Sequence, residues 1–214
     1  WGIKARARQE DGGRNAEAEW GGCFSHADRE AADWDELRAG CYERDFGAIG
    51  AGVVPNSAAA RAIETLAAKG YPLVLATMPM FPRRAVEWRL SWAGIDASRF
   101  GRITSFENST SVKPKLAYYA ENVAACGLAG EDVLMVGNNT VEDLAIRGLG
   151  ADAFLVPDHL LDPDDAFEPA SVKHGTLEAF AARAEAPPAC TQPEQRIAAG
   201  RVHTAPRAAA ISRA

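Results

Sequence analysis

Short apolar runs alternate with amphipathic helix patterns in the middle of the chain, and this alternation constrains the fold more than any other feature. The strand-like runs lie at residues 72–77, 102–105, 133–137 and 153–156. The helical patterns between them lie at residues 82–93, 115–126 and 140–149, and each is followed closely by a glycine, a common helix-ending signal. This order predicts an α/β fold with a parallel sheet and helical crossovers. Such sheets bind ligands at the C-terminal ends of their strands.

The segments outside this core have weaker patterns. Residues 1–30 are rich in Gly, Ala, Arg and Glu and predict an irregular segment. Helical spacing of apolar residues predicts a helix over 33–46, followed by a flexible connector over 47–55, and Asn56 or Ser57 can cap a second helix that ends near Lys69. Residues 157–175, rich in Asp and Pro, predict a surface loop, and residues 176–184 predict a last short helix. Residues 187–214, dominated by Ala, Pro and Arg, predict a disordered tail. One domain over residues 31–186 therefore carries the core.

Composition limits the partners and the compartment. The formal net charge of -6 argues against nucleic-acid binding, which needs clustered Lys and Arg. No apolar stretch reaches the roughly 20 residues of a membrane helix, and the first residues lack a signal-peptide core. The 4 cysteines are scattered without a Cys-x-x-Cys pair, so neither a zinc site nor a redox motif is indicated. We expect a soluble, cytoplasmic protein with reduced thiols.

Two polar residues stand where ligands bind in such sheets. Thr77 ends an apolar run, so its hydroxyl and the next backbone N–H can emerge at the strand tip and bind a phosphate oxygen. Lys113 precedes Pro114, which favours an extended backbone and holds the ammonium group in the loop before a helix. The alternatives are a threonine that simply suits a strand end and a solvated lysine. Lys115 competes with Lys113 for the same role.

The turn after Gly137 carries several oxygen ligands. Asn138, Asn139, Glu142 and Asp143 lie within six residues, and amide and carboxylate oxygens are the ligands that Mg²⁺ prefers. A structural interpretation is also open, because acids are favoured in the first turn of a helix and Asn tolerates tight turns. The order of Thr, Lys-Pro and Gly-Asn-Asn at successive strand ends favours the functional interpretation.

This ordered set resembles the haloacid dehalogenase superfamily, most strongly over residues 71–155. The resemblance implies a Rossmann-like α/β sheet with a partial helical cap, and the helix at 33–46 would belong to this cap or to its hinge. It also implies Mg²⁺-dependent phosphatase activity on a small phosphorylated metabolite. By position, Thr77 matches the phosphate-binding residue of motif II and Lys113 the lysine of motif III. Asn138, Asn139 and Asp143 match the metal-binding loop of motif IV, in which an aspartate usually follows the glycine. The two asparagines imply a weakened Mg²⁺ site.

The larger departure is motif I, a buried central strand that delivers an Asp-x-Asp nucleophile and acid/base pair. Ahead of the predicted strand at 72–77, only Asp33-Trp34-Asp35 has this spacing, and the residues before it are too polar for a central strand. Without that strand, the strands ending at Thr77 and Gly137 must pair with each other or expose backbone groups. The chain is therefore expected to be a fragment, a mis-started reading frame or a decayed relative.

Three functions follow as expectations. The first is a phosphatase-type hydrolase with impaired turnover, and the second is a non-catalytic domain that binds phosphate or a metabolite. The third is a nucleotide-binding domain of another family, which the missing Gly-rich phosphate loop disfavours. No nucleic acid or membrane partner is expected, and the sequence does not define the oligomeric state.

Overall fold

The computed structural model describes residues 36, 40–165 and 167–190 and the backbone of a strand at 208–211. The helices used below are α1 (Ser57–Ala68), α2 (Arg83–Trp92), α3 (Leu116–Ala125) and α4 (Leu177–Glu185). The strands are β1 (Leu73–Leu75), β2 (Arg102–Ile103), β3 (Val133–Gly137), β4 (Asp152–Leu155), β5 (Lys173–His174) and β6 (Ala208–Ile211). No helix in these ranges is long and apolar enough to cross a bilayer.

The six strands form one sheet in the order β2-β1-β6-β3-β4-β5. Every neighbouring pair is parallel. The strands β1 to β4 overlap the four runs picked out from the sequence, and α1 to α4 overlap four of the helical patterns. The prediction of an α/β fold with a parallel sheet is confirmed.

Helices cover both faces of this sheet. Leu73 and Leu75 of β1 belong to a buried cluster with residues of α1, α2 and α4. Val74, between them in sequence, belongs to a second cluster with residues of α3 and of the segment after β3. Because successive side chains of a strand point to opposite faces, the all-apolar β1 is buried on both sides, as expected for a parallel sheet.

The largest correction concerns the centre of the sheet. The sequence predicts disorder over 187–214 and leaves β1 and β3 without a strand between them. Instead, β6 lies between them and pairs with both, in the register Leu75↔Ile211↔Val136. The expectation that β1 and β3 pair directly or expose their backbone is therefore wrong, because the segment 208–211 supplies the missing partner.

The beginning of the predicted tail is also ordered. The side chain of Lys69 donates hydrogen bonds to the carbonyls of Ala184 (3.0 Å) and Pro187 (2.8 Å), near the C-terminus of α4. The hydroxyl of Tyr71 donates to the carbonyl of Pro188 at 3.0 Å. These bonds tie residues 187–190 to the loop before β1, so the prediction of disorder is wrong here too. Residues 191–207 and 212–214 lie outside the described part.

Some predicted local structures need smaller corrections. Residues 140–149 form a turn and a 3-10 helix, Leu144–Leu149, in place of an α-helix. The connector predicted after Phe46 contains a 3-10 helix, Phe46–Gly52, which follows a π-helical turn at Cys41–Asp45. The loop predicted over 157–175 contains the edge strand β5. Of the helix predicted over 33–46, residues 33–35 and 37–39 lie outside the described part, as does the Asp33-Trp34-Asp35 motif.

The segment 40–52 packs on α2 through aromatic rings. Phe46 stacks on Trp92 with ring centroids 5.3 Å apart, and the indole N–H of Trp88 donates to the carbonyl of Tyr42 at 3.0 Å. Phe81 also faces Phe46, at 6.4 Å. This packing places the segment beside the loop that follows β1.

Candidate functional site

The predicted site residues follow β1 and β3 or are carried to them by a loop. Thr77 lies two residues beyond the end of β1, and Asn138 follows the last residue of β3. The strand β6 separates β1 from β3. Two strand spacings therefore lie between the ends of these strands, about 10 Å.

Lys113 and Asp143 form a buried ion pair. This pair joins the loop between β2 and α3 to the loop after β3. The ammonium nitrogen of Lys113 lies 2.7 Å from Oδ1 of Asp143. The two side chains are only 1% and 2% exposed. Lys113 precedes Pro114 through a cis peptide bond. The order of the motifs in the sequence predicts that these residues share one site, and the structure brings them into direct contact.

The second oxygen of Asp143 binds the backbone of its own loop. Oδ2 accepts hydrogen bonds from the backbone N–H groups of Asn138 (2.9 Å) and Asn139 (3.0 Å). Gly137 makes this approach possible, because a Cβ added there would lie 2.1 Å from Oδ2. The carboxylate thus fills the concavity formed by the two amide N–H groups, an arrangement that commonly binds anions.

The asparagine side chains stabilise the same turn. Oδ1 of Asn139 accepts hydrogen bonds from the backbone N–H groups of Val141 (3.0 Å) and Glu142 (2.8 Å). The side-chain amide of Asn138 donates to the carbonyl of His159, which ties the turn to the loop after β4. Asn139 thus caps the segment that follows it, in the manner of a helix N-cap residue, and the backbone N–H of Asp143 donates to the carbonyl of Asn139 at 3.0 Å.

These residues do not fit a Mg²⁺ ion as they are arranged. One oxygen of Asp143 contacts an ammonium group, and its other oxygen accepts two N–H bonds. Oδ1 of Asn139 also accepts two N–H bonds. A cation at this position would meet the like charge of Lys113 and would have to displace these donors. Among the described residues, no group of three or more acidic, His or Cys side chains is placed to hold a metal ion.

Thr77 is held inward by Thr104, the residue that follows β2. Its hydroxyl donates to the carbonyl of Thr104 at 3.0 Å, and its backbone N–H donates to the hydroxyl of Thr104 at 2.7 Å. The hydroxyl of Tyr118 donates to the carbonyl of Thr77 at 2.6 Å. Thr77 is 6% exposed. In this arrangement the hydroxyl of Thr77 points into the protein and is used in a hydrogen bond to Thr104. The predicted contact with a phosphate oxygen would therefore require the Thr77 side chain to rotate.

Thr104 and Tyr118 were not singled out from the sequence. Thr104 is the next-to-last residue of the predicted strand at 102–105, and a hydroxyl residue near the end of a strand was the available signal. In the sequence, Tyr118 is one aromatic residue of an amphipathic helix pattern, and this pattern does not predict a contact with the site. Burial raises the pKa of the Tyr118 hydroxyl, and the nearby Asp143 carboxylate raises it further. Tyr118 therefore stays neutral and acts as a hydrogen-bond donor.

Glu142, the other acid of the turn, is partly buried and lies near the positive charge of Lys113. Burial raises the pKa of its carboxyl group, and the ammonium of Lys113 partly offsets this effect. Its backbone carbonyl accepts a hydrogen bond from the hydroxyl of Tyr119. The turn is therefore tied to α3 as well as to the loop that carries Lys113.

Gly137→Ala is expected to destabilise the protein strongly, by about 3 kcal/mol or more, because the new methyl group would overlap a carboxylate held by three hydrogen bonds. Urea unfolding of the full chain measures this change. Gly52→Ala is the matched control, since a Cβ added at Gly52 meets no atom within 4 Å. Equal midpoints for the two variants would contradict the described turn.

Mg²⁺ is expected to leave the thermal stability of the chain almost unchanged, because its ligands are already engaged. Differential scanning calorimetry with about 5 mM MgCl₂ should shift the Tm by less than about 1 °C relative to NaCl of the same ionic strength. A selective rise of several degrees with MgCl₂ would show that a metal site forms.

Comparisons with known proteins show similarity at the level of structure. A protein from Haemophilus somnus 129PT, described as a predicted phosphoglycolate phosphatase, superposes with a TM-score of 0.53 at 17% identity, over 83% of this chain and 80% of that protein. An uncharacterised protein from Listeria monocytogenes serotype 4b superposes with a TM-score of 0.47 at 16% identity, over 57% of this chain and 74% of that protein. No family model and no curated protein sequence matches the chain. The similarity to the Haemophilus protein supports the α/β fold.

Proposed function

We propose that the chain is a phosphatase-like domain of the haloacid dehalogenase type that binds a small phosphorylated metabolite and lacks the hydrolytic step. The observation that carries this proposal is the buried Lys113–Asp143 pair beside the C-terminal end of β3. A lysine carried to this edge of a parallel sheet stands where such folds bind ligands. The resemblance of motifs II, III and IV supports phosphate as the ligand group.

The charges of Lys113 and Asp143 favour weak binding of a phosphate group over its hydrolysis. The ammonium group of Lys113 has three donors, so it can bind a phosphate oxygen and the carboxylate of Asp143 at the same time. When no anion is bound, the carboxylate compensates the positive charge of the lysine. The pair is close to neutral, so the attraction for a dianion is modest, and we expect a Kd of about 1 mM. The oxygens of Asp143 and Asn139 are engaged by donors of the protein itself, which disfavours Mg²⁺-dependent turnover.

Phosphate binding is expected to depend on the ammonium of Lys113. Isothermal titration calorimetry of the full chain with phosphoglycolate should show binding, and the double variant Lys113→Met/Asp143→Leu should weaken it by about 10-fold or more, while avoiding an unpaired buried charge. The matched control is Lys173→Met/Asp152→Leu, which removes an exposed ion pair elsewhere on the sheet.

Two results of the titration would contradict the proposal. Circular dichroism confirms that both double variants are folded before they are titrated. Equal affinities in the two double variants would remove Lys113 from the site. Absence of heat from the wild-type chain at about 10 mM ligand would contradict phosphate binding itself.

A hydrolytic function is the second candidate, favoured by the fold shared with the predicted phosphoglycolate phosphatase. A colorimetric assay with p-nitrophenyl phosphate, with and without MgCl₂, distinguishes the two candidates. Under the binding proposal, turnover stays at the level of the uncatalysed reaction. Robust Mg²⁺-dependent turnover that Asp33→Asn abolishes would instead identify a functional Asp-x-Asp motif at Asp33 and Asp35.

A further inference from the structure

Two adjacent tyrosines of α3 bind the two loops that carry the candidate site. The hydroxyl of Tyr118 donates to the backbone carbonyl of Thr77 at 2.6 Å, in the loop after β1. The hydroxyl of Tyr119 donates to the backbone carbonyl of Glu142, in the turn after β3. Because β6 lies between β1 and β3, the ends of these two strands are not neighbours in the sheet. One helix therefore connects the two sides of the candidate site.

The rings of both tyrosines are fixed by packing. Tyr118 and Tyr119 are 0% and 2% exposed, and their rings meet edge to face with centroids 5.0 Å apart. Both belong to the buried cluster that contains Val74 of β1 and Met135 of β3. Burial raises the pKa of both hydroxyls, so each stays protonated and donates its hydrogen bond. The packed rings thus hold each hydroxyl at a defined position relative to the sheet.

The contact with Tyr118 orients the peptide group that follows Thr77. In a planar trans peptide the C=O of one residue and the N–H of the next point in opposite directions. Because the carbonyl of Thr77 faces the hydroxyl of Tyr118, the N–H of Met78 points away from this tyrosine. The same hydroxyl lies 3.2 Å from the hydroxyl of Thr104, which accepts the N–H of Thr77. Tyr118 therefore restricts the rotation of the backbone at this strand end.

Tyr119 fixes the peptide group that precedes Asp143. Its hydroxyl binds the carbonyl of Glu142, and the N–H of Asp143 donates to the carbonyl of Asn139 at 3.0 Å. Both polar groups of this one peptide plane are therefore held, which sets the direction in which the Asp143 side chain leaves the backbone. The ammonium of Lys113 follows, because it lies 2.7 Å from the carboxylate of Asp143.

We propose that Tyr118 and Tyr119 are positioning residues that set the separation between Thr77 and the Lys113–Asp143 pair, and so the affinity of the site for a phosphate group. This inference rests on the proposed function. A ligand that contacts both loops binds more tightly when the loops are already held at the correct separation, because less conformational entropy is lost on binding. Removal of either hydroxyl leaves one loop carbonyl with fewer donors and lets that loop move.

Conservative variants of the full chain test this proposal. Tyr118→Phe and Tyr119→Phe remove one hydroxyl each and keep the packed rings. The matched control is Tyr71→Phe, which removes a hydroxyl that donates to the carbonyl of Pro188 at 3.0 Å, outside the candidate site. Titration with phosphoglycolate, followed by phosphorus NMR, should show binding at least about 5-fold weaker in each of the first two variants and within about 2-fold of the wild type in the control.

A second measurement reads the loop positions without any ligand. Hydrogen exchange followed by NMR should show at least about 10-fold faster exchange at the N–H of Thr77 in Tyr118→Phe and at the N–H of Asp143 in Tyr119→Phe. Both rates are taken relative to the backbone N–H groups of β3, which separates local movement of a loop from a general loss of stability. The control variant should leave both relative rates unchanged.

The two measurements together decide the proposal. Relative exchange equal to that of the wild type in both variants overturns the positioning role, whatever the affinities are. Faster loop exchange with wild-type affinity also overturns it, as does an equal loss of affinity in Tyr71→Phe. If the wild-type chain binds no phosphoglycolate, the proposed function fails, and the positioning of the loops is then decided by exchange alone. Each variant tests its own loop, so a folding defect in one leaves the other decisive.

Discussion

The buried ion pair between Lys113 and Asp143 is the interaction on which the rest of the candidate site depends. It joins two loops that are 30 residues apart in sequence, and both side chains are almost completely buried. Burying either charge alone is costly, so each side chain requires the other. Gly137 and the amides of residues 138 and 139 complete the arrangement by accommodating the second oxygen of Asp143.

This arrangement gives the turn after β3 a structural role as well as a potential binding role. An acidic turn is often interpreted as a metal site, because carboxylate and amide oxygens are Mg²⁺ ligands. Here the same oxygens accept hydrogen bonds from the protein itself. The turn thus resembles a phosphatase loop in sequence while its described geometry is satisfied without a cation.

The sequence predicted the parts of the fold in which local pattern and tertiary environment agree. β1 and β3 are apolar runs buried on both faces, and α3 is an amphipathic helix that ends next to Gly127, so hydrophobic periodicity was sufficient for each. It failed for β6, because three alanines carry no strand signal and the position is imposed by the backbone groups of β1 and β3. It also failed for residues 140–149, which form a turn capped by Asn139 and then a 3-10 helix in place of an α-helix. For the site, the sequence predicted that Lys113 and Asp143 lie together. It did not predict the inward orientation of Thr77, which depends on a hydrogen bond to Thr104, the residue after β2.

The central claim is that Lys113 and Asp143 stabilise this edge of the sheet as a coupled pair. A double-mutant cycle with Lys113→Met, Asp143→Leu and the double variant, followed by urea unfolding of the full chain, measures their coupling directly. We expect each single variant to lose about 3–5 kcal/mol and the double variant to lose much less than the sum, with a coupling energy of at least about 2 kcal/mol. Additive losses, with a coupling below about 0.5 kcal/mol, would contradict the account.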